Sequence, residues 1–230
     1  LLKPGDEIIV SQLEHHSNIV PWQMLSEKTG AIMKVIPINN LGELDIKIYE
    51  KLLSNKTKVV FVNHVSNALG TVNPIKKIIE KAHRYDAKVL IDGAQAVPHF
   101  HVDVTELDVD FYVCSAHKFC GPTGVGILYG KQRILEELPP YQGGGEMIDE
   151  VTFEKTTYAD LPNKFEPGTP NIAGVIASGV ALDYINGIGL EKIKKYEDEL
   201  LAYATEKLKE INGVKIYGES ENKTSVISFN

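Results

Sequence analysis

The sequence predicts an α/β fold, with a mainly parallel sheet covered by helices on both faces in a three-layer α/β/α arrangement. Three observations lead there. Short β-branched runs alternate with helix-like stretches through the first 130 residues, the pattern of repeated strand-helix-strand units. Those runs read as buried strands, as expected when helices cover both faces of a sheet. The chain has 230 residues, 43% hydrophobic and 24% charged, the ordinary range for a globular domain that buries a sizeable core.

The elements follow in order. "DEIIVSQ" (6–12), "IMKVIPI" (32–38), "KVVFVN" (58–63), "KVLID" (88–92) and "DFYVCS" (110–115) are the strands. Between them "NIVPWQMLSEKTG", "DIKIYEKLLS" and "NPIKKIIEKAHRYD" carry apolar residues at helical spacing. The third of these has a start signal, with Asn73 as N-cap and Pro74 in the first turn. "GVGILYG" follows the fifth strand after too few residues for a helical crossover, which predicts an antiparallel strand. Residues 131–170 are Pro/Gly-rich and predict a long loop region without strand or helix, a feature often tied to function. Two helices, "NIAGVIASGVALDYINGIG" and "LEKIKKYEDELLAYATEKLKEI", and two strand-like runs, "VKIYG" and "SVISFN", complete the chain. The expected division is a large domain over 1–187 and the beginning of a second domain over 188–230, cut short after its last strand.

Charge narrows the partners. The net charge is -7 and like charges do not cluster, so neither a nucleic-acid nor a membrane surface is expected and a small-molecule partner is. No apolar stretch reaches the roughly 18 residues of a membrane span, and the opening "LLKPGDEIIV" lacks a basic-then-apolar leader pattern. The expected location is cytoplasmic. The two cysteines, Cys114 and Cys120, form neither a disulfide framework nor a CxxC metal pair.

In open parallel sheets ligands collect beyond the carboxyl ends of the strands. The polar residues there are His15 and His16 in "EHHSN", Asn67 in "HVSNALGT", Asp92 and Gln95 in "DGAQAV", and Ser115, His117 and Lys118 in "SAHK". Singly each has an ordinary reading: Asp92 could cap a turn, Lys118 could be a surface charge, and the glycines of "GPTGVG" could serve a tight turn. Adjacent His15 and His16 without a third ligand cluster make a poor metal pair. Together they suit pyridoxal phosphate. Its chemistry needs an amine for a Schiff base, which Lys118 supplies, and an anion for the pyridine nitrogen, which Asp92 supplies. Ser115 and His117 are natural donors to its phosphate.

The blocks "EHHSNIVPWQ", "HVSNALGT", "IDGAQAVPH", "SAHKFCGPTGVGILYG", "PPYQGGGEMI" and "FEPGTPN" resemble the class V, fold type I pyridoxal-phosphate enzymes, most closely the Suf-type cysteine desulfurases and their selenocysteine lyase relatives. The resemblance implies a pyridoxal-phosphate transferase large domain followed by the start of a small α+β C-terminal domain. It implies that His15 stacks on the cofactor ring and assists proton transfer, Asn67 contacts cofactor or substrate, Asp92 pairs with the pyridinium and Gln95 bonds the ring hydroxyl. Ser115 and His117 would bind the phosphate and Lys118 would form the Schiff base. Thr169 would reach the phosphate in the partner subunit of a homodimer. The implied reaction takes L-cysteine, or selenocysteine in the lyases, to alanine, with sulfur passed as an enzyme persulfide to an acceptor for iron-sulfur cluster assembly.

Some parts of the family pattern are missing. The family's nucleophilic cysteine, in a block like "RTGHHC", and its substrate-binding arginine are expected beyond Asn230, and its threonine-rich phosphate loop before Leu1. Neither Cys114 nor Cys120 matches the nucleophile's block. The chain is thus expected to be a fragment, inactive alone, of a desulfurase. The alternatives are another class V reaction, selenocysteine lyase or aminotransferase, or an inert piece that binds no cofactor.

Overall fold

The computed structural model describes residues 2–230. A six-stranded sheet runs in the order β2-β1-β3-β4-β5-β6, from β1 (Glu7–Ser11), β2 (Ile32–Ile36), β3 (Thr57–Asn63), β4 (Lys88–Asp92), β5 (Phe111–Ser115) and β6 (Gly126–Gly130). β1 to β5 are parallel, and β6 returns antiparallel beside β5, as its short connection requires.

Side-chain alternation along the strands divides the core in two. Ile8, Val10 and Phe61 pack toward Ala31 and Trp22, the latter on α1 (Val20–Thr29). Ile9, Val60, Val62, Val89 and Ile91 pack on the other side with Tyr49 of α2 (Ile46–Leu52) and Ile78 and Ile79 of α3 (Ile75–His83). The buried stripe of α3, Ile75, Ile78, Ile79 and Ala82, has the i, i+3, i+4, i+7 spacing of an amphipathic helix. Burying Ile78 and Ile79 completely stabilises the fold by about 1.5–3 kcal/mol each.

Two expectations need correction. Asn73 does not cap α3: Pro74 holds the capping position and no side chain caps the helix. The Asn73 amide instead donates to the main-chain oxygen of Asn63 at 2.9 Å and to its Oδ1 at 2.6 Å. A buried strand-end carbonyl needs a donor, and that demand takes the side chain away from the helix. The segment 131–170 is also not structureless. It contains α4 (Gln132–Glu137) and an antiparallel hairpin of β7 (Ile148–Val151) and β8 (Thr156–Tyr158). α4 buries only Ile134, and β7 is exposed throughout, so neither has a hydrophobic period long enough to read.

α5 (Ile172–Ile188) and α6 (Leu190–Lys209) meet at Gly189, whose φ of +93° permits the break. Asn171 caps α5, its Oδ1 accepting from Gly174 N–H at 3.0 Å. β9 (Ile216–Tyr217) and β10 (Ser228–Phe229) pair antiparallel. The C-terminal stretch lies against the turns after β2 and β3: Thr224 N–H donates to Gly70 O at 2.8 Å, and Ser220 Oγ to Glu43 Oε1 at 2.8 Å.

Candidate active site

β1 ends at Ser11, and the chain turns into one 3-10 turn, His16–Asn18. His15 caps that turn, its Nδ1 accepting from Ser17 N–H at 3.2 Å. His15 stays exposed while Asn18 is buried. The Asn18 amide donates one hydrogen to Asp92 Oδ2 at 2.7 Å and the other to Glu14 Oε2 at 3.0 Å.

Asp92, the last residue of β4, is half-buried, and its Oδ1 accepts from Ala94 N–H at 2.9 Å. Both of its donors are neutral. Among the described residues no lysine, arginine or histidine nitrogen lies within 4.0 Å of this carboxylate. The carboxylate is therefore held in place and left without a counter-ion. The next residue must be glycine: a Cβ on Gly93 would fall 2.0 Å from the Tyr112 ring. That ring is buried, and its hydroxyl lies 3.0 Å from His64 Nδ1. Burial pushes His64 down to about 4, so at neutral pH the imidazole adds no cation behind Asp92.

On the neighbouring strand Asp92 is level with Val113, and Gly93 N–H donates to Val113 O at 2.8 Å. β5 thus runs two residues further, to Ser115, before a 3-10 turn over Ala116–Phe119. Residues three apart eclipse in such a turn, and Ala116 and Phe119 are the buried pair, packed with Ala181 and Ile185 of α5. Gly121 N–H closes the turn on Ala116 O at 2.8 Å. Anchored on that side, the turn leaves His117 exposed and Lys118 half-buried. Among the described residues no carboxylate lies within 4.0 Å of the Lys118 ammonium.

The other sequence-selected residues are less tied in. Asn67 sits exposed on the turn after β3, a turn closed by Ser66 Oγ accepting from Leu69 N–H at 3.1 Å. Gln95 is half-buried, three residues past Asp92. Thr169 is exposed beside a cleft of about 440 Å3 whose lining includes Glu146, Asn163 and Glu166. Among the described residues no hydrogen bond joins Asn67, Gln95, His117 or Thr169 to the Asp92 cluster. Burial, then the Asp92 charge, pushes the Cys114 thiol up, the opposite of what a thiolate nucleophile needs. Sequence reasoning missed Glu14 and Asn18. Their signal was the i, i+4 spacing inside "EHHSN", which puts two polar side chains on one side of a turn.

The residues around this rim suit a pyridoxal-phosphate-type group by their chemistry: a fixed anion without a cation, an amine without a carboxylate, and hydroxyl and imidazole donors alongside. The family model described as aminotransferase class-V matches residues 1–230. A cysteine desulfurase of Synechococcus elongatus is 54% identical over 228 residues, covering 99% of this chain and 36% of that protein. The crystal structure of the cysteine desulfurase CsdA (S-sulfonic acid) from Escherichia coli superposes with a TM-score of 0.96 at 38% identity, covering 100% of this chain and 57% of that one. A mutant of C-DES with glycine covalently linked to its PLP cofactor gives a TM-score of 0.88 at 26% identity, covering 100% and 62%. The chain thus spans between about a third and three-fifths of the length of these relatives.

Proposed function

The chain belongs to the class-V aminotransferase family, and we propose that the protein carrying it is a pyridoxal-phosphate-dependent cysteine desulfurase, converting L-cysteine to L-alanine and passing the sulfur on as an enzyme persulfide. The similarity to proteins named cysteine desulfurase supports the reaction. The observation that carries the chemistry is Asp92, a carboxylate fixed by an amide and a main-chain N–H and, among the described residues, lacking a cation.

Pyridoxal phosphate, when bound, supplies an electron sink for negative charge at the substrate's α-carbon. Asp92 would keep a proton on the ring nitrogen, because an adjacent anion favours the protonated form. Lys118 would offer the amine that holds the cofactor, and the same amine could hold and move a proton at the substrate's α-carbon. Gln95 would donate to the ring hydroxyl oxygen, and Ser115 and His117 to the phosphate. His15, whose Nδ1 already accepts from Ser17 N–H, would cover the ring face and offer Nε2 for proton transfer. Asn67 would contact the cofactor or the substrate.

The protein would act as a homodimer in the cytoplasm, with Thr169 reaching the partner subunit's phosphate and a sulfur-acceptor protein taking the persulfide toward iron-sulfur cluster assembly. The apolar face of α5, with Ile172, Val175, Ile176 and Val180 all more than half exposed, supports a covering surface of this kind. Residues 188–230 would begin a small C-terminal domain.

The test is the visible spectrum of the full-length protein with added pyridoxal phosphate, beside Lys118→Ala, followed by borohydride reduction and peptide mass analysis. The expected result is a band lost in the variant and a pyridoxyl label on Lys118. A band that persists in Lys118→Ala, or a label on a different lysine, would overturn the assignment.

A further inference from the structure

Glu14 lies behind Asp92 and takes no part in the chemistry described so far. It is 8% exposed, and among the described residues every polar contact it makes is with a neutral donor. Ser11 Oγ and Asn63 N–H donate to its Oε1, the latter at 2.9 Å, and the Asn18 amide donates to its Oε2 at 3.0 Å. The second hydrogen of that amide goes to Asp92 Oδ2 at 2.7 Å. One planar group therefore bridges two carboxyls, one from the turn after β1 and one from the end of β4. The amide oxygen faces the other way, 3.2 Å from Ser17 Oγ, which lies 2.8 Å from His15 Nδ1.

We infer that Glu14 is a positioning residue, which through the Asn18 amide aims Asp92 at the cofactor's ring nitrogen and sets how tightly that nitrogen's proton is held. The inference rests on the proposed cofactor chemistry and deepens it. The physical reason is that an amide with both hydrogens committed cannot rotate without abandoning a buried acceptor, so Asp92 Oδ2 has a fixed direction. A second carboxylate behind the first also adds negative potential, which raises the proton affinity of whatever Asp92 faces. Burial pushes Glu14 up to about 7, with Asp92 the ionisable neighbour acting on it among the described residues; Ser11 on β1, Asn63 on β3 and Asn18 are neutral. Its charge thus changes within the working pH range.

Two readouts test this in the full-length protein. Without cofactor, unfolding stability is followed against pH in wild type, Glu14→Gln, Asp92→Asn and the double variant. The difference between the members of each pair with and without Glu14 isolates the Glu14 titration. We expect its midpoint to fall by about half a pH unit or more when Asp92 loses its charge. An unmoved midpoint means that the carboxyls are not linked and overturns the inference. With cofactor, we expect Glu14→Gln to move the pH midpoint of the visible band downward by about one unit. A Glu14→Gln protein that melts earlier with that midpoint unchanged makes Glu14 merely structural, which also overturns it. Should Glu14→Gln not fold, Asn18→Ala is read by the same band and is expected to shift its midpoint, an unshifted band counting against the inference. A wild-type protein with linked carboxyls but no visible band would instead condemn the cofactor reading of Lys118, so the two failures are told apart.

Discussion

Two aspartates stand at opposite ends of the β4-β5 pair, and the fold treats them differently. Asp110, just before β5, is 1% exposed and is surrounded by donors: Val89 N–H at 2.8 Å, His83 Nε2 at 2.8 Å, Lys131 Nζ at 3.4 Å and Arg133 at 4.0 Å. Asp92, at the carboxyl end of β4, is less buried and, among the described residues, is held only by neutral groups. A structural carboxylate is surrounded by its own cations, because an unpaired buried charge is costly. A carboxylate aimed and left without one is open to a group that is not part of the chain, the role proposed for Asp92. On that proposal the contrast separates a stabilising aspartate from a functional one more sharply than residue type or position on a strand can.

If the contrast is real, the two residues should fail in different assays. The largest effect expected is from Asp110→Ala, which leaves the buried Val89 N–H without its acceptor and leaves His83 and Lys131 with Asp108 alone; urea unfolding should show a loss of about 3 kcal/mol. Molecules that remain folded should still bind cofactor. Asp92→Asn should reverse the pattern. Its stability should change by only ~1 kcal/mol, while alanine formation from L-cysteine by the full-length protein should drop at least about 100-fold. Gly93→Ala touches both ends, since the new Cβ meets the buried Tyr112 ring; a cost of about 1–3 kcal/mol in thermal or urea unfolding is expected, with weaker cofactor binding because the backbone after Asp92 must shift.

The smallest effect is in the pH dependence, where two buried groups oppose one another. Glu14 in the folded chain lies at about 7, above its ordinary 4.5, so its contribution is complete below pH 4.5 and is lost as pH rises through 7. His64 lies at about 4, below its ordinary 6.5, so its contribution is present above 6.5 and is lost as pH falls through 4. Between those limits the two slopes nearly cancel in the wild type. Glu14→Gln should expose the His64 slope of about 1 kcal/mol per pH unit, rising with pH. A variant as flat as the wild type would contradict the burial of Glu14.

Much of this was legible in the sequence, for reasons that can be named. β1 and β3 show as apolar runs because both faces of the sheet are covered there, and α3 shows because one buried stripe faces the sheet over its whole length. Asp92 and Lys118 were visible because strand ends and glycine turns mark where a sheet's rim must lie. What stayed hidden depends on contacts between segments far apart in sequence. Asn73 looks like a helix cap until the Asn63 carbonyl, ten residues earlier, claims it. Asn18 looks like a turn residue until Asp92, 74 positions on, is set beside it. α4 and the β7-β8 hairpin are short and exposed, so burial imposes no period on them.

The measurement that bears most directly on the central claim is the dissociation constant of pyridoxal phosphate from the full-length protein and from Asp92→Asn, read by visible absorbance. If Asp92 carries a charge reserved for the cofactor, the variant should bind at least about tenfold more weakly. Equal affinity, together with an unchanged rate of alanine formation, would mean that the uncompensated carboxylate has no part in the site.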